Sequence, residues 1–454
     1  MQQSKKAKRR PVKLSPMQII ALTFGGIILL GTLLLSLPVA SRDGQAVSVL
    51  DALFTATSAT CVTGLVRFDT WSQWSGFGQI VILCMIEIGG LGFMSAASLV
   101  IFLFRRKVGL RQRMVMAQAL SLNEMESVVK LQKWVIYGSL SFQFAGALIL
   151  FLRFLPTCGF RQAAIWGIFH AVSAFCNAGF DVFGSVQPGS SLMCVNNDPV
   201  VLCTLMVLII VGGLGFFVWD EMARVRRFRD FSVYTKLVLL TTGALILGGG
   251  ALILLLEWNN PQTLGNMSAG QKILNGLFQS VTLRTAGFAS VDQGGLTDAG
   301  KAVSMVLMLI GGSSGSTAGG LKTVSFLVLV LFLWSRARGR STVNVFRRSV
   351  PGGKVMDAMT IAGILLTLAI FGGVFISATS PVSFTDGLFE AVSALATVGL
   401  TTGATASLSI PSQILIIIFM YFGRVGVLTI SMGFLMGDRA VDRFRYAHTN
   451  LLIG

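Results

Sequence analysis

Apolar runs long enough to cross a hydrocarbon core return throughout this 454-residue chain. Eight can be drawn, at about 17–38, 78–104, 134–155, 200–219, 236–256, 302–334, 358–378 and 412–436. A helix needs roughly 20 residues to span a bilayer, and lipid offers no partner to an unpaired backbone amide. Runs of this length therefore require helices, and the chain reads as an all-α integral membrane protein. Composition agrees: 53% of residues are hydrophobic and 12% charged, too little charge to solvate a soluble domain of this size. The first run has no small-residue cleavage site after it and reads as a retained span.

A net charge of +17 raises nucleic acid as a partner, but the placement of the charge favours the lipid bilayer. Basic residues cluster at Lys5–Lys13, Arg105–Lys133, Arg224–Lys236, Arg336–Lys354 and Arg439–Arg445, each beside an apolar run. Cytoplasmic loops carry such an excess. An even number of spans with basic clusters at both ends predicts both termini in the cytoplasm and a bacterial cytoplasmic-membrane location.

On the opposite side, the excursion after each odd-numbered run enters a segment too short to span. The four are LFTATSATCVTGL (Leu53–Leu65), IFHAVSAFCNAGF (Ile168–Phe180), LFQSVTLRTAGF (Leu277–Phe288) and LFEAVSALATVGL (Leu388–Leu400). Phe54, Phe169, Phe278 and Phe389 open them, Ser58, Ser173, Thr282 and Ser393 follow one turn on, and Gly64, Gly179, Gly287 and Gly399 close them. The third copy is one residue shorter. A second motif recurs one run later, as IGGLGF (Ile88–Phe93), VGGLGF (Val211–Phe216), IGGSSG (Ile310–Gly315) and FGRVGV (Phe422–Val427).

Two motifs repeated four times in one order predict four helix–pore-loop–helix repeats around a central pore, with eight spans and four re-entrant pore helices. The expected divisions are a basic tail 1–16, repeats at 17–112, 113–225, 226–340 and 341–436, and a tail 437–454. Irregular backbone at membrane depth is tolerated only where it is buried or lines a wet cavity. Four such loops on one axis offer rings of carbonyls that can replace the hydration shell of an alkali cation. Glycine lets those carbonyls face the axis, and the helix C-termini direct partial negative charge there. Close helix packing is the competing reading of the GGLGF glycines.

These loops resemble the filter loops of the Trk/Ktr/HKT superfamily of potassium transporters, and among them the Ktr membrane subunits, over nearly the whole chain from Met17. GGSSGSTAGGLK (Gly311–Lys322) resembles the glycine-rich intramembrane loop that interrupts the third repeat of that family. The resemblance implies a potassium filter from Cys61, Val62, Thr63 and Gly64; Cys176, Asn177, Ala178 and Gly179; Thr285, Ala286 and Gly287; and Thr397, Val398 and Gly399. Glycine at all four closing positions implies potassium as the cargo, with sodium coupling left open and no organic cofactor. It further implies a homodimer seated on a cytosolic nucleotide-binding regulatory ring. The tail HTNLLIG is a candidate for docking on a neighbouring protomer.

Gly311, Gly312, Ser313, Ser314, Gly315, Ser316, Thr317, Ala318, Gly319 and Gly320 are too glycine-rich to continue a helix. At that depth they read as a movable polar gate. Charge inside the membrane marks function by default. Lys322 closes the loop and is placed to hold it. Arg424 takes a glycine position of the second motif, so it should face the axis below the filter as a barrier to cations. Arg284 sits within the third filter loop, and a guanidinium on a cation path would block it. It is therefore expected to turn backward into a buried ion pair, with Glu390 as one candidate partner. The topology also places Cys158 and Cys194 outside, where a disulfide would brace the second loop if they came close enough.

No HExxH or GxxxxGK[ST] is present, and no CxxC pair, which gives no lead to an enzyme or a zinc site. A rocking secondary symporter is the alternative mechanism. It is usually built from inverted repeats, whereas these four run in one direction.

Overall fold

The computed structural model describes residues 16–92 and 128–426. The clusters Lys5–Lys13 and Arg439–Arg445, most of Arg105–Lys133, and the HTNLLIG tail lie outside those residues, so the readings made on them are not addressed. Among the described residues four long helices are apolar enough to cross a membrane: α1 (Pro16–Leu35), α5 (Val128–Cys176), α8 (Val233–Glu257) and α12 (Gly352–Thr379). A short helix follows each: α2 (Val49–Thr60), the end of α5 beyond a break at Gly159, α9 (Ala269–Thr282) and α13 (Phe384–Leu395). Gly159 has φ 76° and ψ 170°, which no helix accommodates. The chain then passes a loop, with a one-turn helix α3 (Thr70–Gln73) in the first copy, before its next helix.

Local chemistry starts these elements where they start. The Ser48, Ser268 and Ser383 hydroxyls accept the backbone N–H of Asp51, Gln271 and Asp386, which caps three of the short helices. The second helix of each copy begins on a similar cap, at Ser75, Asp198, Thr297 and Ser409.

Burial runs opposite to that of a soluble bundle. Leu29, Leu33, Leu247, Leu255, Ile370 and Val374 on the long helices are exposed, while Phe54, Phe278 and Phe389 of the short helices are completely buried and Phe169 nearly so. The short helices form the core and the long ones present apolar side chains outward, as a bilayer requires.

Among the described residues the second helices of two copies are interrupted, the third by the glycine-rich loop as expected and the second, unexpectedly, at Gly215. The second helices are α4 (Gly76–Leu91), α6 (Pro199–Leu214) followed by α7 (Phe216–Arg224), α10 (Asp298–Leu309) followed by α11 (Thr323–Ala337), and α14 (Ile410–Val425). Helices α6 and α7 meet at 95°. The cause is one residue: Gly92, Gly215 and Gly426, all at the fifth position of the second motif, have φ of 80, 93 and 90°. That region is open to glycine and resisted by side chains. In the third copy the interruption is the loop 310–322.

Candidate functional site

Each short helix ends in a tetrad with one shared backbone path. Val62, Asn177, Thr285 and Thr397, two residues before the closing glycines, have φ of 56, 59, 65 and 52°. Gly64, Gly179, Gly287 and Gly399 follow at 94, 70, 81 and 94°. A side-chain-bearing residue in that region costs about 1–2 kcal/mol, so four in register need a common restraint. The Ser or Thr one turn after the opening Phe supplies it. The carbonyls of Ser58, Ser173, Thr282 and Ser393 accept the amides of Thr63, Ala178, Ala286 and Val398 at 2.8–2.9 Å.

Their hydroxyls bond the loops as well, in two ways. Ser58 and Ser393 accept the N–H of Gly64 and Gly399 at 3.1 and 3.0 Å, whereas Ser173 and Thr282 donate to the carbonyls of Phe180 and Phe288 at 2.7 Å. The residue missing from the third copy leaves the last four positions of its loop in register.

The four glycines close a ring. A Cβ on Gly64 would lie 2.5 Å from the Ala178 carbonyl oxygen, and one on Gly179 would lie 2.8 Å from that of Ala286. Gly287 meets the Val398 oxygen in the same way, and Gly399 meets that of Thr63. Each repeat thus faces the next in cyclic order, and the fourth faces the first. Buried hydroxyls of Thr63, Thr285 and Thr397 on this ring have no hydrogen-bond partner.

The second motif presses on the first. Gly89, Gly212 and Gly423 lie against the carbonyls of Thr60, Phe175 and Leu395, each the last residue before its own tetrad. Any side chain there would strike backbone, so the packing reading of these glycines holds and serves to seat the tetrads. Cys61 and Cys176 are both buried. The Cys176 thiol donates to Glu87 Oε2 at 3.4 Å, and the same oxygen accepts Gln143 Nε2 at 2.9 Å.

The loop 310–322 runs against the inner ends of three short helices. Ser313 and Thr317 donate their amides to Gly213 and Gly212 at 3.0 and 3.2 Å, and Thr317 Oγ1 reaches the Phe175 carbonyl at 3.2 Å. Gly319 lies against the Thr397 side chain and the Ala396 carbonyl of the fourth tetrad. Lys322 Nζ donates to the Ala318 carbonyl at 2.8 Å. Arg424 donates to the neighbouring Thr317 carbonyl and, from the other nitrogen, to those of Gly89 and Gly90. Two cations therefore clamp consecutive carbonyls of the loop, and Arg424 ties it to the first and last repeats.

Two expected pairings are corrected. Arg284 turns away from the ring as expected, but Glu390 is not its partner: Nη2 of Arg284 lies 3.4 Å from the Gly311 carbonyl and 3.3 Å from Thr323 Oγ1. Glu390 is satisfied within its own repeat by the hydroxyls of Thr401 and Thr405. Cys158 and Cys194 are both free. Each thiol donates to a carbonyl of its own helical turn, Phe154 at 3.3 Å and Ser191 at 3.6 Å.

Thr317 and Thr323 do more than a passive polar loop implies, and no sequence motif marks Asp181. Asp181 lies two residues beyond Gly179, and burial together with neighbouring Asp69 pushes its carboxyl up to about 7. A carboxylate two residues past a closing glycine is the signal in the sequence.

Comparison with known proteins gives a consistent result. The TrkH cation transport protein family matches residues 4–440. The chain is 38% identical to the potassium/sodium uptake protein NtpJ of Enterococcus hirae, over 98% of this chain and 99% of that protein. It is also 38% identical to the Ktr system potassium uptake protein B of Bacillus subtilis, over 95% and 96% of the two chains. The crystal structure of the potassium transporter TrkH from Vibrio parahaemolyticus superposes with a TM-score of 0.72, covering 95% of this chain and 87% of that one, at 18% identity. With its ring of four glycine-ended loops and a family match spanning nearly its whole length, this chain belongs to the TrkH family of cation transport proteins, multi-pass ion transporters of the membrane.

Proposed function

We propose that the chain takes up potassium through a gated, channel-like pore whose filter is the ring formed by the four tetrads. The observation that carries this reading is the closed cycle in which each of Gly64, Gly179, Gly287 and Gly399 faces the carbonyl preceding the next repeat's glycine. A ring of backbone carbonyls without intervening side chains suits a dehydrated alkali cation. The relatives' names, potassium/sodium uptake and Ktr potassium uptake, support potassium as cargo and leave room for sodium.

The loop 310–322 is the gate. It lies against the fourth tetrad, and Arg424 and Lys322 hold it there by carbonyls it would give up on moving. While in place they also set positive charge in a cation's way. An unbroken ring of same-direction repeats favours such a gate over rocking halves.

A separate cytosolic nucleotide-binding subunit working on a homodimer is the regulation this reading carries, since Ktr relatives are named as parts of a system. Both termini are then cytoplasmic, and the short helices enter from outside the cell membrane.

The test is cation flux into proteoliposomes for wild type and Gly64→Ser. Uptake of potassium by wild type, with preference over sodium lost in the variant, is the expected result. Unaltered selectivity in Gly64→Ser would remove the ring from the role of filter.

A further inference from the structure

One more side chain joins the filter to the gate loop. Arg284 holds the first position of its tetrad, where the other repeats have Cys61, Cys176 and Ala396. It is 8% exposed. Its reach ends on Gly311, near the start of the loop, and on Thr323, the first residue after it.

Those two residues already form a knot. Thr323 Oγ1 donates to the Gly311 carbonyl at 3.0 Å, the Thr323 amide to that of Gly312 at 3.1 Å, and the Gly311 amide to that of Leu321 at 2.9 Å. Both ends of the loop meet at this point, and Arg284 grips it from the filter side.

Nothing else accounts for the guanidinium. Among the described residues no carboxylate pairs with it, and its Nε has no partner. A small cavity lined by Ile209, Val281, Gly312 and Arg284 adjoins it, which leaves room beside the knot. A buried cation without a counter-ion is costly to keep, and Ala396 shows that the position packs without one.

We propose that Arg284 is a positioning residue: a latch that fixes the base of the loop to the third filter strand, so that the loop cannot swing without releasing the arginine. This rests on the reading of the loop as the gate.

The experiment measures potassium and sodium flux into proteoliposomes holding the chain alone, for Arg284→Gln, Arg284→Lys, Thr323→Val and a loop shortened by residues 313–317. With the latch cut, Arg284→Gln should raise potassium flux about tenfold, the shift expected of a two-state gate that loses a charge-assisted hydrogen bond. Preference for potassium over sodium should stay as in wild type. Arg284→Lys, which keeps a charged donor, should restore part of the closure. Thr323→Val should open the pore while the buried arginine itself stays in place, and it decides the matter if Arg284→Gln does not fold.

Should the shortened loop raise flux while Arg284→Gln and Thr323→Val match wild type, the latch is wrong and the gate stands. Lost selectivity at unchanged flux in Arg284→Gln would instead assign Arg284 to filter shape, and overturn the latch as well. No change on shortening the loop would sink the gate itself, and the latch with it.

Discussion

Single atoms decide the chemistry of the ring. Gly399 combines a φ of 94° with a Cβ direction that runs into the Thr63 carbonyl, so Gly399→Ala should abolish potassium uptake while leaving the fold intact. Flux and gel-filtration profiles of the purified variant check both halves of that statement. Asp181 gives a pH signature. Its carboxyl is held near 7 in the folded protein against about 4 for a free aspartate. Between those values the native state binds the extra proton, so stability is greatest at the acidic end and falls as pH rises to 7. Asp181→Asn should remove that loss, read as a smaller difference in melting temperature between pH 5 and pH 8. At this scale the sequence was informative wherever a residue recurs. The four glycines and the Ser/Thr partners of the tetrads were visible because each occurs four times, at one offset in three copies and one residue less in the third. Arg284 and Glu390 occur once each. Nothing in one copy tells that Thr401 and Thr405 will satisfy the carboxylate, or that the guanidinium will find two oxygens at the root of a loop.

Among the elements, the second helices carry the lesson. Gly92, Gly215 and Gly426 sit inside uninterrupted apolar runs, and hydropathy passes over them because a helix tolerates an isolated glycine at a cost of about 1 kcal/mol. Their positive φ values become necessary only once the helix has pressed Gly89, Gly212 or Gly423 onto the end of a short helix, a tertiary demand invisible in a local window. The loop 310–322 was legible for the converse reason, since its glycines are too dense for any helix. Gly212→Val would drive a branched side chain into the Phe175 carbonyl. The expected cost is about 1–3 kcal/mol, typical of overpacking, seen as a lower melting temperature together with reduced potassium flux, because the second tetrad rides on that contact.

Across the whole molecule the ring makes the four repeats one unit. A Cβ on Gly64 would meet both the Ala178 carbonyl and Gly179 Cα, so substitutions at Gly64 and Gly179 bear on each other directly and should not add. A double-mutant cycle on Gly64→Ser and Gly179→Ser, read as potassium-over-sodium permeability, should show coupling of about 0.5–3 kcal/mol. Additive effects would mean that the strands act separately. The long-range order of this arrangement was readable from the fourfold recurrence, whereas the cyclic direction in which each glycine meets its neighbour was not.

A ring assembled from identical chains can be altered only at all its corners together. This one is written on a single chain, and its corners have already drifted apart: Cys61, Cys176, Arg284 and Ala396 stand at one level, Val62, Asn177, Thr285 and Thr397 at the next. Each quarter can change without the other three changing with it, so one position of the ring can take a role that its counterparts do not share. At one corner alone a side chain, Arg284, reaches from the ring to Gly311 and Thr323, a specialisation that a symmetric assembly would have to carry four times over.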